Sequence, residues 1–426
     1  MSIEYEQFHI KSFSDSGELE QALKNQRKHI EDVQQGAIWN DGRLGWFCVD
    51  QAFPADERER LRTAASWAQE TAQVLVVIGI GGSNRGALAA ISALHRTLRS
   101  PTRVLFAGDT LSASSLLDTL ELIKNESVIL NVIAKDFNTV EPGIAFRLLR
   151  KAMKEKYGHE YNKRIVVTGS HGKGQLQEMA EKEGYRFLAF PKDVGGRFSV
   201  LTTVALFPMA VAGLDIDTLL EGAKDMERQL KETTIDTNPA VQYAVNRNIL
   251  FLKGFHIESL VFFEPDLIHL ARWWVQLFAE SEGKNQKAIF PTFFSYSEDL
   301  HAVGQYVQEG KRNIQETYLC LFHENPNLII GPSTEEQDGF DYLDGKAFDK
   351  LNRSVYQAAF KAHSEAGVPC TEIAVSQVTE RNLGQVFYFF MFAVYVSASL
   401  LGVDPFSQDG VENYKDAMYS LLGKNT

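Results

Sequence analysis

From Val74 onward the chain alternates short apolar runs, rich in β-branched and aromatic residues, with stretches of helical length. The runs read VLVVIGI at 74–80, RVLFAG at 103–108, VILNVIA at 128–134, IVVTG at 165–169 and FLAF at 187–190. Between them lie 84–98, 111–124, 142–155 and 172–183, each long enough for an amphipathic helix. Strand-length runs alternating with helical stretches are the pattern of βαβ units, and they predict a parallel sheet flanked by helices. A second set follows, SLVFFEP at 259–265, TYLCLFH at 317–323 and TEIAV at 371–375, again separated by helical segments. The expected architecture is therefore α/β in two units, 1–210 and 211–426, with 56–72 and 411–422 as flanking helices. A chain of 426 residues is long for a single core and agrees with that division.

Composition narrows the function classes. With 43 basic against 55 acidic residues the net charge is −12, which leaves no overall basic footprint for nucleic acid or an anionic membrane. Three cysteines, Cys48, Cys320 and Cys370, lie far apart without a CxxC spacing. That argues against a disulfide framework or a zinc site and suits a reducing cytoplasm. The opening MSIEYEQFHIKSF is polar and acidic and lacks the apolar core of a secretion signal, so a cytoplasmic location is expected. The stretch from Asn382 to Val403 carries no charge, but its asparagine, glutamine, tyrosines and serines predict a buried helix rather than a membrane span.

Five segments carry chemistry. Gly79-Ile80-Gly81-Gly82-Ser83-Asn84-Arg85-Gly86 follows the first strand and opens a helix. Glycines there let backbone N–H groups approach an anion at a helix N-terminus, or they serve only a tight turn. The order is not GxGxxG, which disfavours a dinucleotide site. Val194-Gly195-Gly196-Arg197-Phe198-Ser199 offers a guanidinium beside flexible backbone, or a structural turn with a surface arginine. Glu280 closes the run ARWWVQLFAE before Ser281-Glu282-Gly283-Lys284. Bulky apolar neighbours there would desolvate it toward a working base, the alternative being a solvated helix end. Asp299, His301, Gln305 and Gln308 form a polar helical face on which His301 is an acid–base candidate or a structural histidine. Phe406 to Lys415 reads as a helix cap that projects Lys415, which alone would be a solvated surface group.

Taken in order, GIGGSNRG, VGGRFSVLT, WWVQLFAESEGK, DLHAVGQYVQEG and LLGVDPFSQDGVENYK resemble phosphoglucose isomerase, particularly its shorter bacterial form. The resemblance implies two sugar-isomerase (SIS) domains, each a mainly parallel sheet wrapped in helices, assembled as a homodimer with no metal and no cofactor. It implies an aldose–ketose isomerase that moves a proton between C1 and C2 through a cis-enediol(ate). Glu280 matches the base and Arg197 the cation that stabilises the enediolate. His301, supplied by the partner subunit, and Lys415 match the groups that assist ring opening. Gln408 and Glu141 match other residues lining the sugar site, while Gly81, Gly82, Ser83 and Arg85 of the glycine turn are the candidates for holding its anionic group.

One loop departs from the family. Its second phosphate-binding loop reads roughly Ser-Lys-Ser/Thr-Gly/Phe-Thr-Thr and then glutamate; here Ala134-Lys135-Asp136-Phe137-Asn138-Thr139-Val140-Glu141 stands in its place. Ser407 and Lys192 are smaller departures. Ser83, Asn138 and Thr139 still offer donors, with Arg85 or Lys135 as cations, but a carboxylate about 4 Å from a phosphate charge costs on the order of 4 kcal/mol at an effective dielectric near 20. The expected substrate is accordingly a hexose with a non-phosphate C6 group, sulfoquinovose foremost, with a neutral C6 hydroxyl that donates to Asp136 as the other choice. Glucose 6-phosphate with Asp136 turned outward, and a catalytically silent sugar-binding protein, are the alternatives.

Overall fold

The runs of buried valine, isoleucine and leucine condense into two five-stranded sheets in the computed structural model. It describes residues 3–7, 16–94, 100, 102–135, 137–170, 174–324, 327–332 and 338–424. The first sheet has the order β3-β2-β4-β5-β6, with β2 (Val74–Ile78), β3 (Arg103–Ala107), β4 (Val128–Ala134), β5 (Ile165–Ser170) and β6 (Arg186–Phe190) all parallel. Every residue of β2 is buried, as a central strand covered by helices on both faces requires. All five runs read as strands in the sequence lie here.

The second sheet has the order β1-β10-β9-β7-β8, built from β1 (Glu4–Glu6), β7 (Ile257–Phe262), β8 (Phe290–Ser295), β9 (Ile314–Cys320) and β10 (Cys370–Ala374). Its strands are parallel except β1, which pairs antiparallel with β10 through Tyr5 and Ile373. The expected α/β fold class holds. Two strands escaped the sequence pattern. β8 contains Pro291, which normally demotes a strand, and it survives because it lies at the sheet edge. β1 is three residues long and carries too little pattern to read. Its place in the second sheet departs from a division at residue 210, since this leading strand joins the C-terminal half. The helix Ser16–Gln34 follows it, packing on Pro239–Leu252 and Glu380–Leu401.

The uncharged stretch forms the helix Glu380–Leu401, long and apolar enough to cross a membrane by length and composition. Here it is buried on all sides, at 0% exposure from Val386 through Val396, and packs against Ile216–Glu232, Pro239–Leu252 and Ile268–Glu282. A helix apolar all round needs such an interior position. Ile268–Glu282 also packs on Gly82–Ala93 of the first unit, so one helix bridges both halves.

Candidate active site

The first sheet reverses its strand order between β2 and β4, and ligands of open α/β sheets bind in the crevice at the carboxyl ends of such strands. After β2 the chain turns through Gly79–Gly81 into the helix Gly82–Ala93; after β4 it passes 135–139 into the helix Val140–Tyr157. Neither helix N-terminus is capped by a side chain, so two positive dipole ends face one crevice. Gly82 permits this geometry by close approach: a Cβ there would stand 2.1 Å from the Gly196 carbonyl oxygen. The GIGGS turn and the GGRF segment are thus pressed backbone to backbone.

That approach sets Arg197 under the crevice, 3% exposed, which excludes the surface-arginine alternative. All five of its N–H groups are engaged. Nε donates to Ser281 Oγ at 3.0 Å, and Nη1 donates to Glu280 Oε2 at 3.2 Å and Gln408 Oε1 at 3.1 Å. Nη2 donates to the Pro405 and Ser407 carbonyls. Burial pulls the Arg197 pKa below its ordinary value while Glu280 opposes the shift. The environment of Glu280 differs from the one its sequence neighbours suggested. The tryptophans and phenylalanine of its helix face the core, whereas the Glu280 carboxylate, about one-third exposed, meets Arg197 and accepts from Gln276 Nε2 at 3.0 Å.

A cavity of about 710 Å³ runs between these parts. It brings together Gly81, Gly82 and Ser83 from the first turn and Lys135, Asn138 and Thr139 from the second. Arg197, Glu280, Gln408 and Lys415 complete its walls. Lys135 Nζ donates to the Lys192 carbonyl at 2.8 Å, which ties the departing loop to one of the smaller departures. Asp136 lies outside the described residues.

Three expected residues stand elsewhere. Arg85 lines a neighbouring cavity with Arg272 and His269, on the other side of the wall made by Gly81, Gln276 and Glu280. Glu141 sits in the first turn of its helix, outside the cavity lining. His301 is exposed at the end of a short 3-10 turn, Glu298–His301, and is not part of the lining of the cavity that holds Arg197 and Glu280. The polar face expected to carry it is not one helix, because the chain breaks before the helix Gly304–Glu309.

The structure adds residues that sequence reasoning passed over. Gln276 lies one helical turn before Glu280, and that i, i+4 spacing was the available signal. Lys284, quoted in its motif without a role, donates from Nζ to the Glu280 and Ser281 carbonyls at 2.8 and 2.7 Å, closing the helix end. Burial, with Arg197 nearby, pushes its pKa down to about 8. Tyr419 and Lys424 reach the cavity from the last helix, Glu412–Leu421, and its continuation.

Comparison with known proteins agrees with this geometry. The family model described as phosphoglucose isomerase matches residues 58–330. A glucose-6-phosphate isomerase of Alkaliphilus metalliredigens is 43% identical over 390 residues, covering 89% of this chain and 87% of the relative. One from Caldanaerobacter subterraneus subsp. tengcongensis is 42% identical over 416 residues, covering 96% and 92%. Among solved structures, a hypothetical protein of Thermus thermophilus superposes with a TM-score of 0.86 at 26% identity, covering 99% of both chains. A glucose-6-phosphate isomerase of Chlamydia trachomatis shares the fold, with a TM-score of 0.81 at 19% identity over 96% of this chain and 86% of that one. With four of its five motif segments meeting in one crevice and its sequence matched along most of its length, the chain belongs to the phosphoglucose isomerase family and is an aldose–ketose isomerase.

Proposed function

We propose that the protein interconverts glucose 6-phosphate and fructose 6-phosphate, with Glu280 carrying the proton between C1 and C2. The observation that carries this reading is the Arg197–Glu280 pair, 3.2 Å apart, at one end of a cavity whose other end is built from two uncapped helix N-termini. The anion belongs at the helix ends, where Ser83 and Thr139 add hydroxyls, and the reacting carbons belong beside the carboxylate. The relatives named glucose-6-phosphate isomerase support the phosphate as the C6 group.

In the aldose-to-ketose direction the Glu280 carboxylate takes the C2 proton, the electron pair forms the C1–C2 double bond, and charge develops on O1. The same carboxyl group then returns the proton to C1 while the O2 hydroxyl proton passes to O1 and C2 becomes the ketone carbonyl. Because all five Arg197 donors are engaged, the enediolate oxygen competes for the Nη1 bonds now given to Glu280 and Gln408. The guanidinium then stabilises charge as it forms without moving its anchored Nε and Nη2. Lys415 in the cavity and His301 from a second copy of the chain assist ring opening. The exposure of His301, away from its own cavity, supports a shared site in a homodimer. Three free cysteines support a reducing, cytoplasmic setting.

The sulfonate reading keeps one observation in its favour: Ala134 lines the cavity and brings no hydroxyl. Turnover of glucose 6-phosphate, sulfoquinovose and free glucose, measured side by side, separates the substrates. Efficient sulfoquinovose conversion with no glucose 6-phosphate conversion would reverse the assignment. The base is tested by Glu280→Gln, which is expected to lower deuterium exchange at C2 by about 10²–10⁴-fold while the fold stays intact. Exchange at the unaltered rate would remove Glu280 from the mechanism.

A further inference from the structure

The last helix ends in Leu421-Leu422-Gly423-Lys424, and this end is built as a Schellman cap. Gly423 adopts a φ of 72°, the Lys424 N–H donates to the Tyr419 carbonyl at 3.0 Å, and the Gly423 N–H donates to the Ser420 carbonyl at 3.2 Å. The cap folds the chain back so that Lys424 Nζ stands 3.8 Å from the centroid of the Tyr419 ring. Tyr419 in turn donates its hydroxyl to the Asn138 carbonyl at 2.7 Å. The lysine is therefore tied, through one ring, to the 134–139 loop and not to the Glu280 end. Both side chains line the catalytic cavity with Ser83 and Thr139.

We propose that Lys424 is a specificity-determining residue that contacts the anionic group on C6 of the substrate. The proposal rests on the assignment of this cavity to a C6-phosphorylated hexose. Ala134 supplies no donor at the loop, the hydroxyls of Ser83 and Thr139 are neutral, and Lys135 is drawn to the Lys192 carbonyl. A phosphate of about −1.5 to −2 charge gains most from an added cation. The ring face holds the ammonium near the loop by a cation–π contact, and the flexible lysine stem lets it turn to the anion when substrate enters. Neither the GIGGS turn nor the 134–139 loop announces this cation in the sequence; it comes from the far end of the chain.

The experiment is steady-state kinetics with glucose 6-phosphate, together with calorimetric titration of inorganic phosphate, on the unaltered protein and three variants. Lys424→Met is expected to raise KM about tenfold and to weaken phosphate binding by a similar factor, with kcat kept within about twofold. Lys424→Arg should keep most of the affinity. Gly423→Val, which places a β-branched residue at positive φ, should reproduce the rise in KM. Unchanged KM and phosphate affinity in Lys424→Met overturn the proposal. A fall in kcat with KM unmoved also overturns it, since that is the mark of a loosened helix acting through Lys415. Phosphate binding needs no turnover. An unaltered protein that binds phosphate without isomerising glucose 6-phosphate thus refutes the substrate assignment, while the titration still judges Lys424.

Discussion

Lys284 shows how much a single partly buried amine does at the end of the helix Ile268–Glu282. Its Nζ faces two carbonyls of its own helix, and Arg197, Asp404, Glu280 and Glu282 surround it electrostatically. Desolvation and the nearby guanidinium push its pKa down to about 8 from an ordinary lysine value. The sign of the resulting pH dependence follows directly. Between about 8 and the ordinary lysine range the unfolded chain holds a proton that the folded chain has released, so the contribution of Lys284 to stability rises as pH rises through that window. Because the side chain is only partly buried, solvent screening reduces the size of the effect. The difference in unfolding free energy between the unaltered protein and Lys284→Met is therefore expected to grow from about pH 7.5 to about pH 10, measured by urea denaturation. A difference that shrinks over that range would mean the lysine is held charged. A neutral amine still has two N–H donors for its two carbonyls, so the cap survives deprotonation. None of this was visible in Glu-Ser-Glu-Gly-Lys, because the shift comes from groups far away in the chain.

The helices Gly82–Ala93 and Ile268–Glu282 are joined by contact across the two units, and the GGRF segment is wedged at their junction. A Cβ on residue 82 would meet backbone, the Gly196 oxygen at 2.1 Å and the Arg197 nitrogen at 2.8 Å, so no side-chain rotation relieves it. Gly82→Ala should lower kcat at least about 10²-fold by displacing Arg197 from Glu280. It should also destabilise the protein by roughly 1–3 kcal/mol, as overpacking does. Retained kcat in a folded variant would show that the close approach is not what positions the arginine. The helix Ile268–Glu282 has a second anchor below its surface. Glu282 and Glu258, both fully buried, accept from Arg247, which also donates to Ser397 of the central helix. Such a cluster holds register only while each charge keeps its partner. The five-residue strand runs and the Gly-Gly pairs announced these elements in the sequence; the pairing of Arg247 with two glutamates did not, since nothing local distinguishes them from surface charges.

At the scale of the whole molecule, His301 is the expected site residue that the fold leaves outside the cavity. It stands exposed beyond the edge strand β8, while the cavity containing Glu280 is walled by other parts of the same chain. If a partner subunit supplies it, inactive Glu280→Gln and His301→Ala proteins should regain activity when mixed. A mixed dimer pairs one intact carboxylate with one intact histidine, so about one quarter of unaltered activity is expected from random exchange. No recovery after subunit exchange, verified by mass, would place the histidine outside the reaction.

Much of this molecule is local chemistry. Runs such as VLVVIGI and IVVTG are strands wherever they are covered by helices, glycines in GIGGS and GGRF allow only close backbone turns, and five ordered segments carried the resemblance to the family. Ala134 reads equally plainly as a lost hydroxyl. The remainder depends on distance through space. Pro291 is tolerated because β8 falls at an edge, and Glu4–Glu6 become a strand because β10 offers them one. Arg197 is buried because Gly82 lets it be, and Arg85 points past a wall that Gln276 completes. Tyr419 bonds Asn138 in the loop after β4 although 281 positions separate them. Backbone preference and periodicity act over a few residues, and burial, charge pairing and cavity shape arise only where distant segments pack.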